Sequence, residues 1–165
     1  MTETLVLLDN TVLSNSALAR QPRLAIQACP GRACTTEAAL AEYLAAAEGK
    51  RLARNAWRDL PIIELTDSER ELAEMLPAGL GAGERTCLAV AVARRGILAT
   101  DDLHARRLAT RHGVGTAGTV GLLVMAVEGG YVSLNHANAL LSELMAAGYR
   151  SPVASLDALL MENNR

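Results

Sequence analysis

The chain has 165 residues and no Phe, one Trp and three Tyr. Its core must therefore be built from Leu, Val, Ile, Ala and Met. The 50% hydrophobic content supplies enough of them, and the length suits one domain, 1–165, with one full core. Cysteine is scarce too: Cys29, Cys34 and Cys87 are an odd number, none is spaced CxxC, and no His stands at a zinc-finger distance. That argues against a structural zinc site or a disulfide framework and for a reduced, cytoplasmic setting. There is no basic surplus. A formal net charge of −2 does not fit broad electrostatic capture of polyanions. The opening MTETLVLLD lacks a basic n-region and a cleavage site, so no signal peptide is expected. The longest apolar runs, such as VGLLVMAV at 120–127, are too short to span a bilayer.

What the chain does have is an alternation of strand and helix signals. Buried-strand runs fall at 4–8, 32–35, 61–65, 97–100 and 114–116. Helical patterns fall at 11–19, 22–29, 37–48, 68–76, 84–95, 102–112, 118–128, 134–147 and 155–162. Thr36 is a good N-cap for the Ala-rich helix 37–48, which Gly49 is expected to stop, and Asp67 is placed to cap 68–76. Alternating β and α elements imply an α/β fold with a parallel sheet covered on both faces. Ligands of such sheets bind beyond the carboxyl ends of the strands.

Carboxylates gather where that rule points. Asp9 ends the run LVLLD and is followed by Asn10 and Thr11. Asp101 and Asp102 follow ILAT, and Glu84 opens a helix after Gly79-Leu80-Gly81-Ala82-Gly83. Glu37 and Glu42 share one helix, but five residues place them about 140° apart around its axis, so both are not expected to face one site. Each acid has an ordinary explanation. Asp9 and Asp102 can cap helices, Glu37 and Glu84 suit the positive end of a helix dipole, and Glu42 can lie on a solvated face. Their joint order is less ordinary. Carboxylates that converge repel one another, and divalent cations relieve that repulsion. A metal-dependent hydrolase follows as the first expectation. The glycines before Glu84 do not make a dinucleotide fingerprint, because no strand leads into them. No Ser or Cys lies in a nucleophile-elbow sequence, and D-N-T lacks the second acid of aspartyl-phosphate phosphatases.

Two basic stretches accompany the acids. Lys50, Arg51, Arg54 and Arg58 lie at helical spacing beside Trp57, which allows either phosphate contact with base stacking or a solvated face with one packed ring. His104, Arg106, Arg107 and Arg111 follow the acidic pair directly, and a substrate phosphate would pass close to them.

These segments resemble the PIN-domain family of metal-dependent ribonucleases, in particular small prokaryotic PIN proteins related to VapC-type toxins. LLDNTVLSN resembles the family's opening aspartate followed by hydroxyl or amide residues. TTEAALAEY is similar to the segment carrying a mid-helix glutamate, which selects Glu42 over Glu37. LGAGERTCLAVAVA resembles the Gly-Glu helix start and puts Glu84 where other members carry Asp. ATDDLHARRLA is similar to the T-x-D or D-D-x-x-A-R segment, with Asp102 two residues after Thr100. GTAGTVGLL and GYRSP match late motifs, and Asn10 stands where Thr is common.

The resemblance implies a three-layer α/β/α fold with a parallel sheet of four to five strands. It also implies hydrolysis of RNA phosphodiesters with Mg²⁺ or Mn²⁺. Asp9, Glu42, Glu84 and Asp102 would be the catalytic and metal-binding carboxylates, with Asp101 as support or substitute. Thr11 and Thr100 would orient waters or carboxylates, and Arg106 and Arg107 would hold phosphate. The implied partners are RNA, a second copy of the chain, and an antitoxin if the protein is the toxin of a type II pair. Two rival readings stand beside it. One is a catalytically silent PIN-fold binding or scaffold protein, and the other is a hydrolase of small nucleotides.

Overall fold

A computed structural model describes residues 3–163. Five strands form one all-parallel sheet in the order β3-β2-β1-β4-β5. They are β1 (Leu5–Leu8), β2 (Arg32–Thr36), β3 (Ile62–Ile63), β4 (Ile97–Ala99) and β5 (Gly115–Ala117). In the central strand Val6 pairs with Ala33 on one side and Ile97 on the other, and Leu7 with Cys34 and Leu98.

The two-residue period of β1 divides the core. Leu7 faces a cluster with Cys34, Leu98 and the helices α4 (Asp67–Met75), α5 (Ala82–Ala93) and α6 (Leu103–Arg111). Val6 and Leu8 face the opposite cluster, built with α1 (Asn10–Leu18), α2 (Pro22–Ala28), α3 (Glu37–Lys50) and α7 (Thr119–Glu128). This is the expected three-layer α/β/α arrangement. A third cluster joins α2 and α7 to α8 (Leu134–Ala146) and to Leu156, just before α9 (Asp157–Asn163). With few rings available, Leu and Ala fill most of these layers.

Most element ends fall within a residue or two of expectation, and four differences have local causes. Helix α3 runs through Gly49 and ends at Arg51, which takes the left-handed conformation at φ 53°. Gly49 would meet nothing within 4 Å if it carried a Cβ, so it is tolerated on an open face. The cap of α4 is Thr66 rather than Asp67, because Thr66 and Glu69 form a reciprocal capping box. Helix α5 begins at Ala82 with Gly81 as its cap, so Glu84 is the third helical residue. The strand expected over 61–65 is reduced to Ile62–Ile63, although the carbonyl of Pro61 still accepts from Thr35 N at 3.0 Å.

The basic run 50–58 is mostly turns, and Trp57 is buried with its Nε1 donating to the Leu13 carbonyl at 3.2 Å. That ring packs and is not available for base stacking.

A partly buried ion pair ties α4 to the end of α5. Arg94 reaches Glu69 through Nε at 2.7 Å and Nη2 at 2.9 Å, and Nη2 also donates to the Glu64 carbonyl. The guanidinium and the Thr66 amide hold the Glu69 carboxyl below the usual carboxylate range. No described helix is long and apolar enough to cross a membrane.

Candidate active site

The carboxyl ends of β1 and β4 lie side by side at the centre of the sheet, and Asp9 sits there completely buried. Its Oδ1 accepts from Thr11 Oγ1 at 2.6 Å and from Val12 N at 3.2 Å, and its Oδ2 accepts from Thr100 Oγ1. The Val12 bond makes Asp9 the N-cap of α1. Thr11 Oγ1 accepts from Asp101 N at 2.9 Å, and Thr100 Oγ1 accepts from Asp102 N at 3.1 Å. Each threonine hydroxyl thus donates to Asp9 and accepts from the backbone of the acidic pair. The T-x-D spacing has a physical meaning here, since Thr100 folds back on the amide two residues ahead. Thr100 is itself fully buried.

Burial pushes the Asp9 carboxyl up to about 7; the Thr100, Thr11 and Val12 donors oppose the rise and the charge of Glu84 adds to it. The Glu84 carboxyl is also raised, first by burial and then by Asp102 and Glu42, against the Gly81 amide and His104. Asp9, Glu42, Glu84 and Asp102 come from four separate elements and act on one another through Glu84. His104, two residues beyond Asp102, is near enough to Glu84 to offset some of that charge.

The adjacent acids Asp101 and Asp102 go different ways. Asp102 caps α6 by accepting from Ala105 N at 2.7 Å and belongs to the Glu84 group. Asp101 turns towards α1 and α7. Its carboxylate accepts from Asn15 Nδ2 at 2.8 Å, from the backbone and hydroxyl of Thr119, and from Tyr149 OH at 3.3 Å. Gly118 leaves room for this, since a Cβ there would lie 2.8 Å from Asp101 Oδ1 and 3.2 Å from Arg106 Nη1. Sequence reasoning missed Asn15, Thr119 and Tyr149, which lie 86, 18 and 48 residues from Asp101. Arg106 is half-buried beside this network, and Arg107 is exposed on α6.

Glu37 is exposed, while Glu42 is half-buried and accepts from Gly83 N at 2.8 Å. Glu84 accepts from Gly81 N at 3.0 Å. The glycine-rich turn therefore offers one amide to each glutamate. Gly83 also lets α5 approach α3, because a Cβ there would lie 2.8 Å from Ala39 Cα and 2.7 Å from Glu42 Oε2. Gly83→Ala is expected to cost about 1–3 kcal/mol by overpacking and to lower the thermal midpoint by several degrees. At Gly81 the nearest atom is the flexible end of Glu42 at 3.0 Å and φ is −64°, so Gly81→Ala should change stability by less than about 1 kcal/mol. Thermal melts of the two variants check the contrast.

Among the described residues, no three His, Cys, Asp or Glu side chains are gathered closely enough to hold a metal ion. Asp9, Glu42, Glu84 and Asp102 each accept from a backbone amide instead. The donor set still fits a hard divalent cation, being all carboxylate oxygens with mutual repulsion that the Gly81 amide and His104 offset only in part. On the Asp101 side the acids border a cleft of about 370 Å³, lined also by Asn10, Thr11, Asn15, Lys50 and Arg150.

A family model described as a PIN domain matches residues 5–165, which is all but the first four residues. No curated protein and no solved structure matches the chain. PIN domains are in general nucleases and in general use divalent metals. The parallel sheet, the acids at its carboxyl end and the match across the chain agree, and the chain belongs to the PIN-domain family.

Proposed function

We propose that this protein is a metal-dependent endoribonuclease that hydrolyses RNA phosphodiester bonds. The observation that carries the reading is the placement of four carboxylates about the end of β1 and β4, where Glu84 is raised first by burial and then by the charges of Asp102 and Glu42, and Asp9 is raised by burial and in smallest part by Glu84. Such mutual repulsion costs stability without a cation and is relieved by one. Asp9, Glu42, Glu84 and Asp102 are the residues that would hold Mg²⁺ or Mn²⁺. A bound divalent cation supplies an activated water and neutralises charge on a leaving oxygen.

The chain's own residues supply the frame. Thr11 and Thr100 fix the rotamer of Asp9 and, through their acceptor sides, the backbone of Asp101 and Asp102. Asp102 is held at the start of α6 by its capping bond. The Gly81 and Gly83 amides hold the two glutamates, Glu84 at 3.0 Å and Glu42 at 2.8 Å. The cellular role proposed with this activity is the toxin of a type II toxin–antitoxin pair, carried by the sequence resemblance to small VapC-related proteins. A neighbouring gene product that binds the protein and suppresses cleavage would support it.

The test is cleavage of single-stranded and structured RNAs with Mn²⁺, beside Asp9→Asn and Asp102→Asn. Cleavage by the parent alone is expected. Cleavage that survives both substitutions would remove these acids from the site. No cleavage of any RNA, with melting unmoved by Mn²⁺ or Mg²⁺, would favour a silent scaffold. Activity on mononucleotides but not on RNA would favour a small-molecule hydrolase.

A further inference from the structure

A polyanion that approaches four carboxylates meets repulsion, and a chain of net charge −2 offers no general attraction to offset it. Cations placed beside the acids are the remaining means. The cleft of about 370 Å³ is lined by two, Lys50 and Arg150, together with Asp101 and Asp102. Both side chains are exposed, and neither makes an ion pair among the described residues. The remainder of the lining is polar, and its Thr11, Ser14, Asn15 and Tyr149 side chains already donate within the protein. Asn10 accepts from Ser14 Oγ through its Oδ1 at 2.9 Å, which leaves its Nδ2 to donate.

The placement of Arg150 is not left to a free tail. The preceding residue, Tyr149, is half-buried and donates to Asp101 Oδ1 at 3.3 Å. Tyr149 N donates to the Leu144 carbonyl at 2.9 Å. The turn carrying Arg150 is thereby tied to the acidic pair whose charge it would offset. A volume of this size is at the lower end of ligand sites and suits the backbone of one strand rather than a duplex.

We propose that Lys50 and Arg150 are phosphate-binding residues for a single strand of RNA, which they hold in the cleft beside the reacting carboxylates, with Tyr149 as a positioning residue for Arg150. The proposal rests on the nuclease reading for its choice of ligand. It adds residues that neither the family match nor the acidic motifs assign.

The experiment measures anisotropy of a labelled single-stranded RNA with the full-length chain in EDTA, so that binding is read without cleavage. Lys50→Ala and Arg150→Ala are each expected to weaken binding about three- to tenfold at low salt. Each should also reduce the slope of log K against log salt by about 0.7, the value for one phosphate on a single strand. Arg95→Ala, at the amino end of β4, should change neither. Tyr149→Phe should weaken binding less than Arg150→Ala and leave the salt slope unchanged. Thermal melts establish that the variants fold, as expected for substitutions at exposed cations. Unchanged affinity and unchanged slope in both Ala variants would overturn the proposal and leave the cations for another partner, such as an acidic protein segment. Failure of the nuclease reading looks different: RNA would bind through Lys50 and Arg150 but remain uncut with Mn²⁺.

Discussion

Asp9→Asn is expected to raise the stability of the metal-free protein at pH 8 and to abolish RNA cleavage. The two effects share one cause. Asp9 is fully buried, and burial raises its carboxyl from 3.8 to about 7. The folded state therefore holds the proton more tightly than the unfolded chain does. For a group shifted in that direction the stabilisation is complete below pH 3.8 and is lost as pH rises through about 7. At pH 8 the ionised carboxylate costs the folded state about 2–4 kcal/mol. An amide of the same shape removes that cost, and the Thr11 and Thr100 hydroxyls can each act as donor or acceptor towards it. A gain of this size corresponds to roughly 5–12 °C in a chain of this length.

Melting curves between pH 5 and pH 8 check the sign. The parent should lose stability across that range more steeply than Asp9→Asn. Glu84 is raised as well and adds to the fall in both proteins. Glu69 is lowered by Arg94, so its contribution is lost in acid and does not confuse the alkaline arm. Mn²⁺ or Mg²⁺ should raise the parent's midpoint in proportion to the logarithm of its concentration and should move Asp9→Asn much less. A parent whose stability is flat from pH 5 to pH 8 would show that the buried carboxyl is not the source of strain. Proteins commonly hold such strain where the chemistry requires it.

The carboxylates were legible in the sequence because strand ends and helix starts are local features. Asp9 follows an apolar run, Asp102 precedes a helical pattern, and the alternation of elements places both at one end of the sheet. Glu42 was harder, since its helix has Glu37 as well: spacing left the choice open, the family resemblance pointed to Glu42, and the structure leaves Glu37 exposed while Glu42 meets the Gly83 amide. The angle of about 140° between them had set the expectation that both do not face one site. The division of labour between Asp101 and Asp102 was not legible at all. It depends on Asn15, Thr119 and Tyr149, which belong to three other parts of the chain. Trp57 carried the opposite lesson. A lone ring beside arginines reads equally well as a stacking platform or as core, and only its burial and its bond to Leu13 decide. Gly49 shows the limit of stop signals: a glycine ends a helix when the next turn needs the left-handed region, and here Arg51 took that position.

That division predicts opposite outcomes for neighbouring substitutions. Asp102→Asn should preserve the fold, because Asn is as good an N-cap as Asp and the Ala105 amide keeps its acceptor. Its stability should change by less than about 1 kcal/mol, while cleavage falls at least a hundredfold, on the order expected when a metal carboxylate is removed. Asp101→Ala strips the acceptor from Asn15 Nδ2, both donors of Thr119 and the Tyr149 hydroxyl. Hydrogen bonds to a charged group contribute about 1.5–3 kcal/mol each, and water replaces part of what is lost at a half-buried site, so the net cost should be about 3 kcal/mol. The start of α7 and the turn at Tyr149 should loosen first, with faster amide exchange at Thr119. Any fall in cleavage by Asp101→Ala should follow the loss of fold and be partly recovered at lower temperature, whereas Asp102→Asn should be equally inactive at every temperature. If Asp102→Asn cleaves normally and Asp101→Ala is stable but inactive, the ligand is Asp101, and the Glu84 group closes on the cleft from the other side of the acidic pair.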